Sequence, residues 1–295
     1  MKFGVILPSY MPTATVEGIR ETALRAEALG YDSVWTTDHV MIGRDRQIPY
    51  GSIFEAISTL GWLAGITSRI QLGISVVVVS QRQPVLLAKE MATLDRLSGG
   101  RMIMGAGAGW CEEEFGYLGA NFHQRGRMLD EAIDAMRQLW TEPAKAYAGK
   151  LVQFENQSFA PAPVQSGGVP IWVGGNSEFA IRRAARRGDG WHGNLAPLDT
   201  FKERVGLLNS LAPARAQTVS ARAMVRAERT ETAGRQGPAL TLGGSPQALL
   251  DDIRRFADAG MDCVVLGFWD GDLQQHFDGM ERFAEEVLGR IGGRR

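Results

Sequence analysis

Cysteine is nearly missing: the 295 residues hold two, Cys111 and Cys263, far apart and without a CxxC pair. That excludes a disulfide-stapled framework and makes a reducing cytoplasm the expected location. Net charge is missing as well. The 32 basic and 33 acidic residues are interspersed and sum to -1, so no nucleic acid and no anionic membrane surface is expected as a partner. Apolar runs such as Val76 to Val79 are too short to span a bilayer, and Met1 to Pro8 lacks a basic segment followed by a long apolar one, so a soluble protein is expected. The histidines His39, His123, His192 and His276 show no HExxH spacing, and no metal is expected. A Walker pattern, a GxSxG elbow and paired-carboxylate spacing are all absent, which sets aside the simplest phosphotransferases and hydrolases and leaves redox chemistry with a bound cofactor.

What the sequence does have is an alternation of short β-branched or apolar runs with amphipathic helical stretches from end to end, the pattern of parallel βα units. Strands are predicted at Lys2 to Pro8, Asp32 to Thr37, Ile70 to Val79, Arg101 to Gly107, Pro170 to Gly174, from about Asp189, at Val219 to Ala227 and at Asp262 to Gly267. Helices follow Thr15, span Ile53 to Ala64, run from Pro84 to Gly99-Gly100, and cover Arg125 to Trp140; others open at Ser177 and Ser245-Pro246, and Leu273 to Leu288 closes the chain. About eight units imply one (β/α)8 barrel domain over residues 1–295. Gly30-Tyr31-Asp32-Ser33-Val34 and Gly260-Met261-Asp262-Cys263-Val264 echo one another, each marking the bottom of a repeat. Two stretches interrupt the pattern: Glu142 to Val169, after the fourth helix, and Glu228 to Gly244, after strand seven. The second follows a strand and is the lid candidate. An open dinucleotide-binding sheet would alternate too, but Gly105-Ala106-Gly107-Ala108-Gly109 is not GxGxxG and has no acidic strand end about twenty residues on.

Side chains at the C-terminal ends of barrel strands face the site. Asp38-His39 follows strand two, where a histidine can handle a proton and a neighbouring carboxylate can orient it or hold a cofactor edge. The pattern alone equally allows a helix-capping aspartate beside a surface histidine. Gly105 to Gly109 could admit a flat ring or a phosphate. In the segment after Trp110, Glu112 and Glu114 read as acids that suit a helix dipole. Gly174-Gly175-Asn176-Ser177 runs into a helix whose first N–H groups would suit a phosphate, or is an ordinary turn with a serine cap. Ser75 to Val79 reads mainly as core, and His192 lies near the end of strand six.

These residues carry a resemblance. Phe3-Gly4-Val5, Glu27 to Trp35 with Asp38-His39, Leu94 to Arg101, Gly107 to Trp110 with Glu113-Glu114-Phe115, Arg125-Gly126-Arg127, Pro161 to Gln165, Pro170 to Gly175 and Asp189-Gly190-Trp191 together resemble the luciferase-like monooxygenase superfamily, and within it the coenzyme F420-dependent oxidoreductases. The resemblance covers nearly the whole chain. It implies a flavin or deazaflavin ring at the C-terminal rim, with His39 and Asp38 as the catalytic pair and Asp38 also against the cofactor. By the same resemblance Ser75-Val76 forms a non-prolyl cis peptide bulging behind the ring. Val78, Ala108, Gly109 and Glu113 line the cofactor, and Gly174, Gly175, Asn176 and Ser177 hold its phosphate.

Trp110 and His192 fall in the substrate pocket. The sugar-phosphate dehydrogenases of this branch place a glutamate at the position of Trp110 and a lysine after strand six, where His192 to Leu198 has none, so a flatter or more apolar substrate is expected. The leading expectation is hydride exchange between F420 and a small organic molecule. The alternatives are an FMN-dependent monooxygenase using reduced flavin and oxygen, and a non-catalytic flavin-binding relative. The resemblance further implies a homodimer.

Overall fold

The computed structural model describes residues 1–10, 14–44, 47–213, 215–234, 237–268 and 272–291. Eight parallel strands close on themselves: β1 (Lys2–Ile6), β2 (Ser33–Thr36), β3 (Gln71–Val78), β4 (Met102–Gly107), β5 (Ile171–Gly174), β6 (Gly190–Asn194), β7 (Thr218–Arg226) and β8 (Cys263–Gly267), with β8 pairing back onto β1. A helix follows each strand: α1 (Val16–Ala28), α2 (Ala56–Ile66), α3 (Pro84–Ser98), α4 (Arg125–Thr141), α5 (Glu178–Arg187), α6 (Leu198–Ser210), α7 (Pro246–Asp258) and α8 (Leu273–Phe283). This is the (β/α)8 barrel expected from the alternation.

Local chemistry sets the helix boundaries. Thr15, Ser177 and Ser245 accept from N–H groups three residues on, Pro84 and Pro246 occupy first-turn positions, and Gly99 ends α3 at φ 70°. The second helix starts three residues later than its apolar pattern suggests, because Ile53 forms a β-bridge with Tyr10 and Glu55 caps the helix. Among the described residues no helix is long and apolar enough to cross a membrane.

Alternation along the strands separates two cores. Phe3, Val5, Val264 and Leu266 face the helices. Ile6, Trp35, Ile103, Trp172, Cys263 and Val265 fill the barrel interior. Branched aliphatics are expected inside such a barrel, but here two indoles take the centre, their rings 5.3 Å apart. Glycine on both neighbouring strands makes room: a Cβ at Gly4 or Gly73 would come within 2.6 or 2.3 Å of Trp35.

The stretch at 142–169 carries a small hairpin, Tyr147–Ala148 with Gln153–Phe154, on the side where helices return to strands. In the second interruption, Thr230–Thr232 pairs with Ala239–Gly243, and Leu242 and Gly243 pair with Val225 and Arg226 of β7. Leu240 N–H also bonds Leu195 O at 2.8 Å, and Leu240 and Leu242 are buried. The described part of the lid candidate is therefore sheet laid on the barrel edge. Residues 235 and 236 lie outside the described residues.

Candidate active site

A cavity of about 780 Å³ opens at the C-terminal rim, walled by residues from β2 to β7. Asp38, His39, Ser75, Val76, Val78 and Ala108 line one part, Gly109 and Trp110 continue it, and Gly174, Gly175, Asn176, Ser177 and His192 line the rest. Residues that the sequence spreads over 155 positions are thus brought together. Glu113 is not: it is exposed, accepts a bond from the Cys111 thiol at 3.4 Å and lies off the cavity wall.

The adjacent residue, Glu114, is the one the fold uses. The short helix Glu112–Tyr117 turns Glu112 and Glu113 outward and Glu114 inward, where it is buried. One carboxylate oxygen accepts from the N–H groups of Val40 and Met41 at 2.6 and 3.2 Å. The other meets His39 Nδ1 at 2.9 Å and Gln81 Nε2 at 3.2 Å. Burial pushes this carboxyl upward, but the bonds from His39 and Val40 outweigh it and hold its pKa below the usual glutamate value. A helix-dipole role for Glu114 is therefore too weak a description. An ionised Glu114 fixes Nδ1 of His39 as a donor, which leaves Nε2 as the ring's acceptor on a residue that lines the cavity.

Asp38 does not orient His39. Its Oδ2 accepts from Val78 N–H at 2.8 Å and its Oδ1 from Arg82 at 2.7 Å, while Arg82 also reaches Glu55. Burial raises the Asp38 pKa, against the opposing pull of Arg82. Its visible work is to tie β2 to the end of β3. There the Ser75–Val76 peptide is cis, and the β3–β4 register shifts between Ile74 and Val77.

The glycines beside this bulge serve it directly. A Cβ at Gly107 would approach Val76 Cγ2 to 2.5 Å, and one at Gly174 would approach Cγ1 to 2.6 Å. The sequence offers Gly105 to Gly109 as ring or phosphate contacts; Gly107, Ala108 and Gly109 do line the cavity, while Gly105 and Gly107 also accommodate β3, and Gly109, at φ 83°, turns the chain out of the rim.

His192 lines the cavity, but both of its nitrogens are engaged, Nε2 with Ser75 Oγ at 2.8 Å and Nδ1 with Ser220 Oγ at 3.0 Å. Its ring stacks on Trp35 at 5.2 Å. Burial, aided by the Arg222 charge, lowers its pKa to about 3, so it is neutral. It stands on the wall of the expected pocket and braces Ser75.

At the other end, Asn176 spends its side chain on β6, accepting from Asn194 N–H at 2.9 Å and donating to Asn194 O at 3.2 Å. Ser177 Oγ caps α5 through Ala180 N–H. What faces a ligand here is the helix start and its backbone N–H groups. Arg125 and Arg183 line the same end; Arg183 is held by Asp130 at 2.6 Å, and Arg125 stacks on Phe122 at 3.8 Å.

Sequence reasoning missed Tyr50, Arg125, Arg183 and Arg222, all on the cavity wall. Arg222 was findable, since it shares the inward phase of β7 with Ser220. Tyr50 packs on His39 at 4.4 Å, and Trp110 meets the same ring edge-on at 5.3 Å.

Fold and cavity together define a (β/α)8 barrel enzyme with its site in the strand-to-helix loops. Residues 1–236 match the family described as luciferase-like monooxygenase, and the chain belongs to that family. An uncharacterised protein of Mycobacterium tuberculosis is 29% identical over 297 residues, covering 91% of this chain and 94% of the relative. The F420-dependent glucose-6-phosphate dehydrogenase of Kineococcus radiotolerans is 34% identical over 177 residues, covering 59% of this chain and 51% of that enzyme. The crystal structure of monooxygenase RslO1 from Streptomyces bottropensis superposes with a TM-score of 0.80 at 21% identity, over 99% of this chain and 100% of that one.

Proposed function

We propose that the protein is an F420-dependent oxidoreductase that moves a hydride between the deazaflavin and a small organic substrate. The observation that carries this reading is one cavity joining a carboxylate-held histidine to a glycine-flanked helix start. The similarity to an F420-dependent dehydrogenase supports it. The residues present fit such a cofactor. Val76, Val78, Ala108 and Gly109 offer an apolar bed for a flat ring, and Gly174 to Ser177, with Arg125 and Arg183, offer backbone donors and positive charge for a phosphate. When bound, the deazaflavin supplies a two-electron hydride carrier.

The chain supplies orientation and the proton. Glu114 holds His39 Nδ1, so Nε2 accepts the hydroxyl proton when an alcohol is oxidised and returns it to the oxygen when a carbonyl is reduced. Asp38 and Arg82 hold the end of β3, and His192 holds Ser75, so the bed keeps its shape. Trp110 beside His39 favours a flat or apolar substrate over a sugar phosphate.

Equilibrium binding of purified protein to F420 and to FMN, followed by cofactor fluorescence, tests the reading. Tight binding of F420 with weak FMN is expected. The reverse would make this an oxygen-using flavin monooxygenase, and failure of both would leave a non-catalytic relative.

A further inference from the structure

Arg222 crosses the barrel mouth. From β7 its guanidinium reaches Thr37 Oγ1 at 3.2 Å, the Ser75 carbonyl at 3.3 Å and the Tyr10 hydroxyl. Every one of these acceptors is a neutral oxygen. Among the described residues no carboxylate lies within ion-pair distance of it, whereas Asp38 is paired with Arg82, Glu114 with His39 and Arg183 with Asp130; Arg125, the other cavity arginine without a carboxylate, lies at the helix-start end and stacks on Phe122. A guanidinium carries five N–H donors. Three donated bonds leave two donors without an acceptor among the described residues, on a residue that lines the cavity.

A partly buried cation held only by neutral oxygens is a costly arrangement unless an anion completes it. The positive field is felt locally, since Arg222 contributes to keeping His192 unprotonated.

The surroundings say what the guanidinium stands beside. Arg222 bonds Tyr10; the Tyr10 ring packs on Tyr50 at 5.4 Å; and Tyr50 packs on His39 at 4.4 Å. Trp110 closes the other flank of His39. The charge therefore ends an aromatic wall that carries the proton-handling histidine, whereas the phosphate-sized helix start lies at Gly174 to Ser177.

We infer that Arg222 is the specificity-determining anchor for an anionic oxygen of the substrate, and that the substrate is a flat, conjugated or aromatic molecule bearing a carboxylate or an equally acidic oxygen. This rests on the reading of the cavity as an oxidoreductase site and names the substrate class for it. The guanidinium takes the oxygen through its two remaining N–H groups, and the Tyr50 and Trp110 rings flank the apolar body.

Benzoate and benzamide share size and shape and differ in charge, so calorimetric titration of each into the full chain, with and without bound cofactor, reads the anchor directly. Benzoate should bind at least about tenfold more tightly than benzamide, as expected for hydrogen bonds to a charged group. Arg222→Gln should abolish that preference, and Arg222→Lys should keep part of it. The same variants should bind F420 and FMN within about threefold of the parent, a difference of about 0.65 kcal/mol.

Equal binding of benzoate and benzamide to the parent protein overturns the proposal, and so does a preference that survives Arg222→Gln. A variant that keeps the preference but loses cofactor affinity assigns the cation to an oxygen of the ring and likewise overturns it. Should Arg222→Gln fail to fold, the parent comparison and Arg222→Lys still decide. Failure of the parent to bind either cofactor would defeat the proposed function while leaving the benzoate comparison readable.

Discussion

The two ends of the barrel use carboxylates differently. At the N-terminal end they fasten backbone. Asp32 accepts from Phe3 N–H at 2.8 Å, Asp189 from Ile171 N–H at 2.9 Å and Asp262 from Val219 N–H at 2.8 Å, so the residue just before an even-numbered strand ties down the start of the strand before it. Glu27 holds three successive N–H groups, of Ser68, Arg69 and Ile70, and Asp95 holds Val164 and Gln165. Before β4 the same place is taken by Arg101, which donates to carbonyls of Ala64, Thr67 and Ile70 instead. At the C-terminal rim, Glu114 gives one of its four bonds to a titratable side chain, and Arg222 has donors to spare. One end is closed chemically, and the other is left with capacity for a ligand.

Substitutions at the two ends should therefore separate stability from turnover. His39→Asn, whose amide can still donate to the buried Glu114 carboxylate, should lower turnover by about two to four orders of magnitude with little change in melting temperature, as steady-state rates and thermal unfolding will show. Asp95→Ala should do the opposite: it removes the buried carboxylate that holds the Val164 and Gln165 N–H groups and the Gln165 side chain, and should cost roughly 3 kcal/mol in denaturant unfolding. Its folded fraction should bind cofactor as before.

Acid should add a third distinction. His192 and His276 are each lowered to about 3, first of all by burial. Below the ordinary histidine value of 6.5 the unfolded chain takes up protons that the folded chain refuses. Stability is then full above pH 6.5 and falls by about 1.4 kcal/mol per unit for each histidine as the pH drops toward 3. Unfolding curves between pH 7 and 4 check this, and replacement of His276 by Gln should remove about half of the slope. The smallest effect is expected for Glu114→Gln, which keeps an acceptor but loses the charge. Turnover should fall by about tenfold, and its pH profile should shift, while the Asp95 variant keeps the parent profile.

The barrel was legible because its signals are local: period-two strands, period-3.6 helices and proline, glycine or serine boundaries. The echo at Asp32 and Asp262 was legible for the same reason, and the structure shows the two doing the same task. The site was legible where residues sit at strand ends. It was not legible where a choice depends on which way a short helix turns. Glu113 and Glu114 are adjacent acids in one helix turn, and only the fold reveals that the second reaches back to His39. Likewise His192 reads as a site residue from its place on the rim, but its commitment to Ser75 and Ser220 joins strands β3, β6 and β7, which no local pattern encodes.

The wedge of Val76 between Gly107 and Gly174 has a consequence for how this stretch of cavity wall could change. Three strands share one small volume, so the positions are not independent. A methyl added at Gly107 or Gly174 collides with Val76, and the same methyl after Val76→Ala meets vacated space. Any lineage or library that reshapes this wall is thus constrained in order: position 76 must shrink before either glycine can grow, and a screen of single substitutions would score both glycines as immutable.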